Sequence, residues 1–451
     1  MRLSVPLYVI RCISLIHNAT CCGLAIVAAA TLAASSASGA SRNLQFRAEA
    51  GFREMFDSNV YLQNHAPTSN VPGAVSAKKE SMVSTISPKV CLDYLPCPAF
   101  KAALSYSPDF TWYHSASSED NDTHRFGLNL SGMVDDAAWD LQNSFTYIDG
   151  STEGPIFGRP GDVPAIGGIP LRDRREAFVY RGGFRCTEVF GKWMVRPVAA
   201  GYYHDFQTDM RFNPAGAPSV YENYIDRQDI SGGLDLGYAV APNLRVILGY
   251  RYGRQDQFNA PCGPGGTTIS SPYDNSYNRI LGGVEGSPLT WLKVGVLAGP
   301  DVRHFEDDIP GFNEHEVLYF VDGFVTVQPT KQDYITFSNK RFEQPAFSSF
   351  SMYQDITYDL SWKHRFSDHW AAMAGFRLYI GDWQPPVHRD DWIYTPMAGL
   401  AYSYNAHLSA EVTYSYDWVV NQTSTSQPGA TYAEGREFTR NLISLSLRYS
   451  L

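Results

Sequence analysis

The chain has little charge for its size. Of 451 residues only 18% are charged, and the formal balance is −10. Soluble domains usually carry about 25%. No basic block occurs, which argues against a nucleic-acid partner. Long apolar runs are missing too. Beyond the first forty residues no stretch approaches the ~18 residues that a helix needs to cross a bilayer. If the rest of the chain lies in a membrane, it must therefore close into a barrel of strands. Metal-type spacing is absent: neither CxxC nor paired histidines at ligand distance are found, so no metal and no cofactor are expected. GxSxG and HExxH are also missing. Gly263–Gly266 is followed by no Lys-Ser/Thr, so it reads as a turn and not as a phosphate loop. His304 with Asp307 and Asp308, or His315 with Glu314 and Glu316, could imitate acid–base pairs. Eleven histidines scattered through loops make such neighbours common by chance. The expectation is a protein that is not an enzyme.

Aromatic residues and glycine are plentiful: 28 Tyr, 25 Phe and 37 Gly. That composition suits strands and turns. The first forty residues stand apart. Arg2 and Arg11 are their only charges, residues 21–34 are apolar, and Ser38-Gly39-Ala40 offers small side chains for cleavage. Residues 1–40 are read as a signal peptide and residues 41–451 as the mature domain. Export implies an oxidising compartment. Of the four cysteines beyond the signal, Cys91 and Cys97 lie close in sequence and could close a small disulfide loop. Nothing pairs Cys186 with Cys262.

Alternation with period two runs through the mature chain. Leu44, Phe46, Ala48, Ala50 and Phe52 alternate with polar or small neighbours. So do Trp139 to Tyr147, Leu244 to Tyr252, Met352 to Trp362 and Leu408 to Trp418. Connections alternate in length as well. Short turns fall near residues 134–138, 189–192, 241–243, 286–290, 366–369 and 405–407. Long loops are read at 149–175, 207–224, 255–277, 302–316, 382–392 and 421–437. Short turns at one end and long loops at the other are the rhythm of an up-and-down membrane barrel. The fold class is thus an all-β, transmembrane, antiparallel up-and-down β-barrel of about 16–18 strands, with segments 80–88 and 324–342 the hardest to place. A secreted β-sandwich would alternate in the same way. Against it stand aromatics clustered at strand ends, a single block of ~400 residues, and a terminal strand with Ile443, Leu445, Leu447, Tyr449 and Leu451 on one face.

That terminal strand resembles the signal read by the outer-membrane barrel assembly machinery, with Leu451 where Phe or Trp is usual. Residues 46–60 (FRAEAGFREMFDSNV) resemble the start of outer-membrane β-barrel porins, in which a first strand leads into a turn like Asp57-Ser58-Asn59-Val60. The resemblance implies a bacterial outer-membrane location among lipid and lipopolysaccharide. It also implies passive diffusion of small hydrophilic solutes, and it raises a homo-oligomer whose interface is not legible here. An export barrel for a polysaccharide and a non-conducting structural or adhesion barrel are the competing expectations.

A barrel of this size has a polar lumen wide enough for an aqueous channel. The face opposite the apolar one places Arg47, Arg53, Arg125, Arg181, Arg185, Arg196, Arg245, Arg251, Arg279 and Arg377 towards it. Lys293, Lys363 and Arg448 join them against Glu49, Asp109, Asp140, Asp235, Glu285, Asp355, Asp359 and Glu411. Two outcomes stay open: an anion-preferring pore beneath acidic loops such as 301–316, or charges that merely pair across strands. The Gly/Pro-rich loop ending in Arg172, Arg174 and Arg175 could fold inward as a constriction for carboxylate or phosphate, or meet lipopolysaccharide phosphates outside.

Overall fold

The computed structural model describes residues 43–62, 64, 79–150, 175–207, 225–258, 261–262, 267–268, 271–307, 315–345, 352–384, 389–423 and 437–451. The strands, in chain order, are β1 (Leu44–Asp57), β2 (Ser81–Cys97), β3 (Phe100–Tyr113), β4 (Asn121–Val134), β5 (Ala137–Gly150), β6 (Arg175–Phe190), β7 (Trp193–Phe206), β8 (Asp226–Ala241) and β9 (Leu244–Phe258). Then follow β10 (Pro261–Cys262), β11 (Thr267–Thr268), β12 (Asn275–Leu289), β13 (Leu292–Phe305), β14 (His315–Val327), β15 (Asp333–Pro345), β16 (Met352–Arg365), β17 (Trp370–Trp383), β18 (Arg389–Ser403), β19 (Leu408–Thr423) and β20 (Phe438–Ser450). The two-residue strands β10 and β11 pair only with each other. The other 18 form one antiparallel sheet in which each strand pairs with its sequence neighbours. β20 pairs with β1, Glu49 opposite Ser450 and Asp57 opposite Leu442, and so closes the barrel. The hard-to-place segments fall within β2 and within β14 and β15.

Alternation decides which way each side chain points. In β1 the even positions face outward, and Phe46 and Phe52 are exposed there. The odd positions face inward, where Arg47 meets Asp93 of β2. Register carries the same choice from strand to strand. The outward face is an apolar belt containing Leu104, Leu128, Leu234, Leu248, Ile280, Leu360, Val412 and Leu445. Aromatic pairs flank the belt. At the short-turn end Trp193 packs on Tyr238 and Trp370 on Tyr402, and at the long-loop end Tyr394 packs on Trp418. The tight turns use left-handed backbone where the sequence allows it, at Asp135 (φ 50°) and Gly191 (φ 61°). An apolar belt between two aromatic girdles on a closed, even-stranded barrel is the build of a bacterial outer-membrane protein. The short turns, the start of β1 and the end of β20 then lie on the periplasmic side, and the opposite strand ends face outside.

The expected disulfide between Cys91 and Cys97 is corrected by this fold. Both residues lie on β2, and six residues of extended chain span about 20 Å, beyond the ~7 Å that a disulfide bridges. Both are free thiols, as is Cys186.

The outward assignment is tested at mid-strand in β20. Leu445→Arg should cost about 2–4 kcal/mol in bilayer unfolding titrations, whereas Ser446→Arg, one residue on and facing inward, should be tolerated. Equal losses for both would sink the assignment, and a larger loss at Ser446 would reverse it.

Candidate functional site: the barrel interior

All ten arginines singled out from the sequence occupy inner-face register positions. Most are held by carboxylates on neighbouring strands. Arg47 meets Asp93 at 2.7 Å, Arg125 meets Asp109 at 2.5 Å, and Arg185 pairs with Asp140. Arg196 sits between Asp235 and Glu285, 2.9 Å from each, and Arg251 meets the other oxygen of Asp235 at 2.7 Å. Arg279 reaches Asp301 at 2.9 Å and Arg377 reaches Asp359 at 3.0 Å. Arg53 donates to Thr85 at 3.4 Å, and Arg181 lies over the Tyr202 ring. Arg245 stands opposite Glu285 in the register. Arg172 and Arg174 lie outside the described residues. Arg175 begins β6, its side chain also outside the description.

Several inner charges belong to segments that read as loops. Asp301 and Arg303 stand on β13 and Glu316 on β14, so part of the acidic 301–316 stretch is barrel wall. Arg227 on β8 and Arg440 on β20 also face inward. Arg440 pairs with the fully buried Asp57 at the start of the first long loop. Signals for these existed: Val302, His304 and Phe305 around Arg303 continue the alternation of β13. Three consecutive acids, Glu306 to Asp308, followed by an unpatterned run hid it.

Accessibility changes steeply along the axis. At the periplasmic end the inner-face side chains of Arg47, Arg185 and Arg448 are 61%, 61% and 68% exposed. At the external end Arg303, Glu343 and Tyr353 have no exposed surface. The cause is the end of the β15–β16 hairpin, which leaves the wall. The Glu343 carbonyl accepts from Gln255 of β9 at 3.0 Å and from Arg303 of β13 at 2.9 Å. The Pro345 carbonyl accepts from Arg227 of β8 at 2.5 Å. β8 lies five strands round the wall from β15, an arc of about 24 Å at ~4.8 Å per strand. The hairpin end therefore crosses the mouth as a chord. Arg303 anchors it with a side-chain ion pair to Glu343 at 3.1 Å and is itself held by Asp301 of its own strand at 3.0 Å. The Tyr277 ring beneath lies flat over Gly253, where an added Cβ would meet it at 2.2 Å. From the opposite side residues 58–62, just after β1, turn in as well. Leu62 packs with Tyr379, Ile393, Val419 and Phe438.

No family model matches the sequence, and no curated protein matches it. Similar solved structures include the outer membrane protein OpdK from Pseudomonas aeruginosa, 10% identical, with a TM-score of 0.43 over 90% of this chain and 99% of that one. The siderophore receptor PiuA from Acinetobacter baumannii is 10% identical, with a TM-score of 0.45 over 91% and 82%. The copper transporter OprC gives the same identity and score over 91% and 81%.

Two predictions follow from the external end. Arg303→Ala strands Glu343 as a buried charge and leaves Asp301 to Arg279 alone, a loss of about 3–5 kcal/mol in unfolding titrations of the reconstituted barrel. Beside β12, burial pushes the Asp274 carboxyl up to about 6, with Asp256 and Glu306 adding to the rise, although the Gln257 amide and Arg254 oppose it. A raised carboxyl stabilises the fold in its protonated form. That contribution is complete below the unfolded value near 4 and is lost as pH rises through 6. Amide exchange over residues 271–276, corrected for intrinsic rate, should be slower at pH 4.5 than at pH 7. Asp274→Asn should remove the difference.

Proposed function

We propose that the protein is an outer-membrane porin, passing small hydrophilic solutes by passive diffusion through a water-filled lumen narrowed by the β15–β16 hairpin. The observation that carries this reading is the inner wall itself. From the periplasmic rim to mid-barrel it presents solvated, ion-paired side chains such as Arg47, Asp140, Arg185 and Arg448. Such a wall suits water and polar solutes and offers no continuous apolar lining for a lipid. The paired charges make selectivity modest, with a slight preference for anions where Arg245 and Lys293 line the rim.

Conductance of the refolded mature protein in a planar bilayer is the test. Discrete small steps are expected from the native chain and larger ones from Arg227→Ala with Arg303→Ala, which release the hairpin. A reversal potential favouring K⁺ under a KCl gradient would end the anion preference. Silence from a folded barrel, unrelieved by the double variant, would overturn the porin reading in favour of an export or structural barrel.

A further inference from the structure

The ladder between β14 and β15 stops early. It holds seven residue pairs, from Val327 opposite Ile335 to Val321 opposite Arg341, where the flanking ladders hold thirteen each. Above Arg341, β15 departs with the tucked hairpin, and among the described residues the external end of β14 has no strand partner on that side. The result is a lateral notch in the wall.

The notch has its own chemistry. Alternation lapses along Val317, Leu318, Tyr319 and Phe320, which are apolar on both faces. Val317 and Tyr319 point outward and are 61% and 64% exposed. The other lip is polar. Arg341 faces outward and donates to Gln354 Oε1 from Nε at 3.1 Å and from Nη2 at 2.7 Å. Its hydrogen bonds thus go to a neutral amide, and it forms no ion pair among the described residues. The acids in its neighbourhood are Glu343, two residues on and held by Arg303, and Asp382, two strands away opposite Gln354. Arg341 stands diagonal to Tyr319 across the last rung, a spacing of about 7–8 Å. A guanidinium that close to an apolar strand edge matches a molecule with an anionic group at one end of a hydrocarbon chain.

We infer that the β14–β15 notch binds an anionic amphiphile of the outer leaflet, its chain against Val317 and Tyr319 and its phosphate or carboxylate on Arg341. This rests on the reading that the barrel sits in the outer membrane with its long loops outside. The site is lateral and separate from the axial path for hydrophilic solutes.

The test uses the mature protein in phosphatidylcholine nanodiscs with radiolabelled dodecyl phosphate as probe. A saturable component above the partition into protein-free discs is expected. Arg341→Gln should weaken it about tenfold, the loss of one charge-assisted hydrogen-bonded contact, and Arg341→Lys should retain part of it. Val317→Asp should abolish it, with heat-modifiable migration confirming that each variant is folded. Arg365→Gln, at the periplasmic rim, should leave it unchanged. Unlabelled dodecyl phosphate should compete, whereas dodecyl maltoside and inorganic phosphate should not. Absence of a saturable component, or equal binding by Arg341→Gln, would overturn the proposal. Complete displacement by inorganic phosphate alone would reduce the site to a free-anion site and overturn it as well. Conductance of the same preparation separates the two readings: a silent parent that still binds dodecyl phosphate sinks the channel and leaves the notch standing.

Discussion

Every backbone donor and acceptor inside a bilayer must find a partner within the protein. The rest of this structure depends on that constraint. It is met along most of the wall by the ladder between β20 and β1, which joins the two outer edges of the sheet into a closed ring of strands. Once the wall is closed, its outside can be apolar without any internal core of the ordinary kind, and its inside can be polar. The apolar belt and its aromatic flanks then place the barrel in the membrane.

The interior solves a second problem. Arginines and acids set along eighteen strands would repel or bind indiscriminately if left to themselves. Register instead aligns many of them across adjacent strands, as with Arg125 and Asp109 or Arg377 and Asp359. At the periplasmic end these pairs lie in water, where each contributes little to stability. At the external end they are buried. There Arg303 lies between Asp301 and Glu343 while Arg279 shares Asp301, so removing Arg303 leaves Glu343 as an uncompensated charge. The same kind of pair thus keeps the wall wet at one end and holds a hairpin at the other.

The hairpin and the short β14–β15 ladder are two aspects of one rearrangement. Chain that would have continued the wall is spent on spanning the mouth. The wall loses six rungs relative to its neighbours and gains a cross-brace anchored on β8, β9 and β13. The apolar run Val317–Phe320 sits where that exchange occurs, which is where strict in–out alternation stops being required.

Much of this was legible in the residues. Period-two alternation is a local property, so the facing of Arg47, Arg196, Arg251 and Arg279 could be read from their immediate neighbours. Turn lengths ordered the two ends, and the terminal run to Leu451 marked a closing strand. Strand limits were less legible where charge interrupted the pattern, as at Asp301–Arg303. The proximity of Cys91 and Cys97 in sequence misled, because one extended strand separates near neighbours by many ångströms. What the tertiary structure alone decided is which distant residues meet. Arg227 reaches Pro345, Arg303 reaches Glu343 and Arg440 reaches Asp57 only because the barrel closes and a hairpin folds across it. Those contacts join positions tens to hundreds of residues apart, and no local periodicity encodes them.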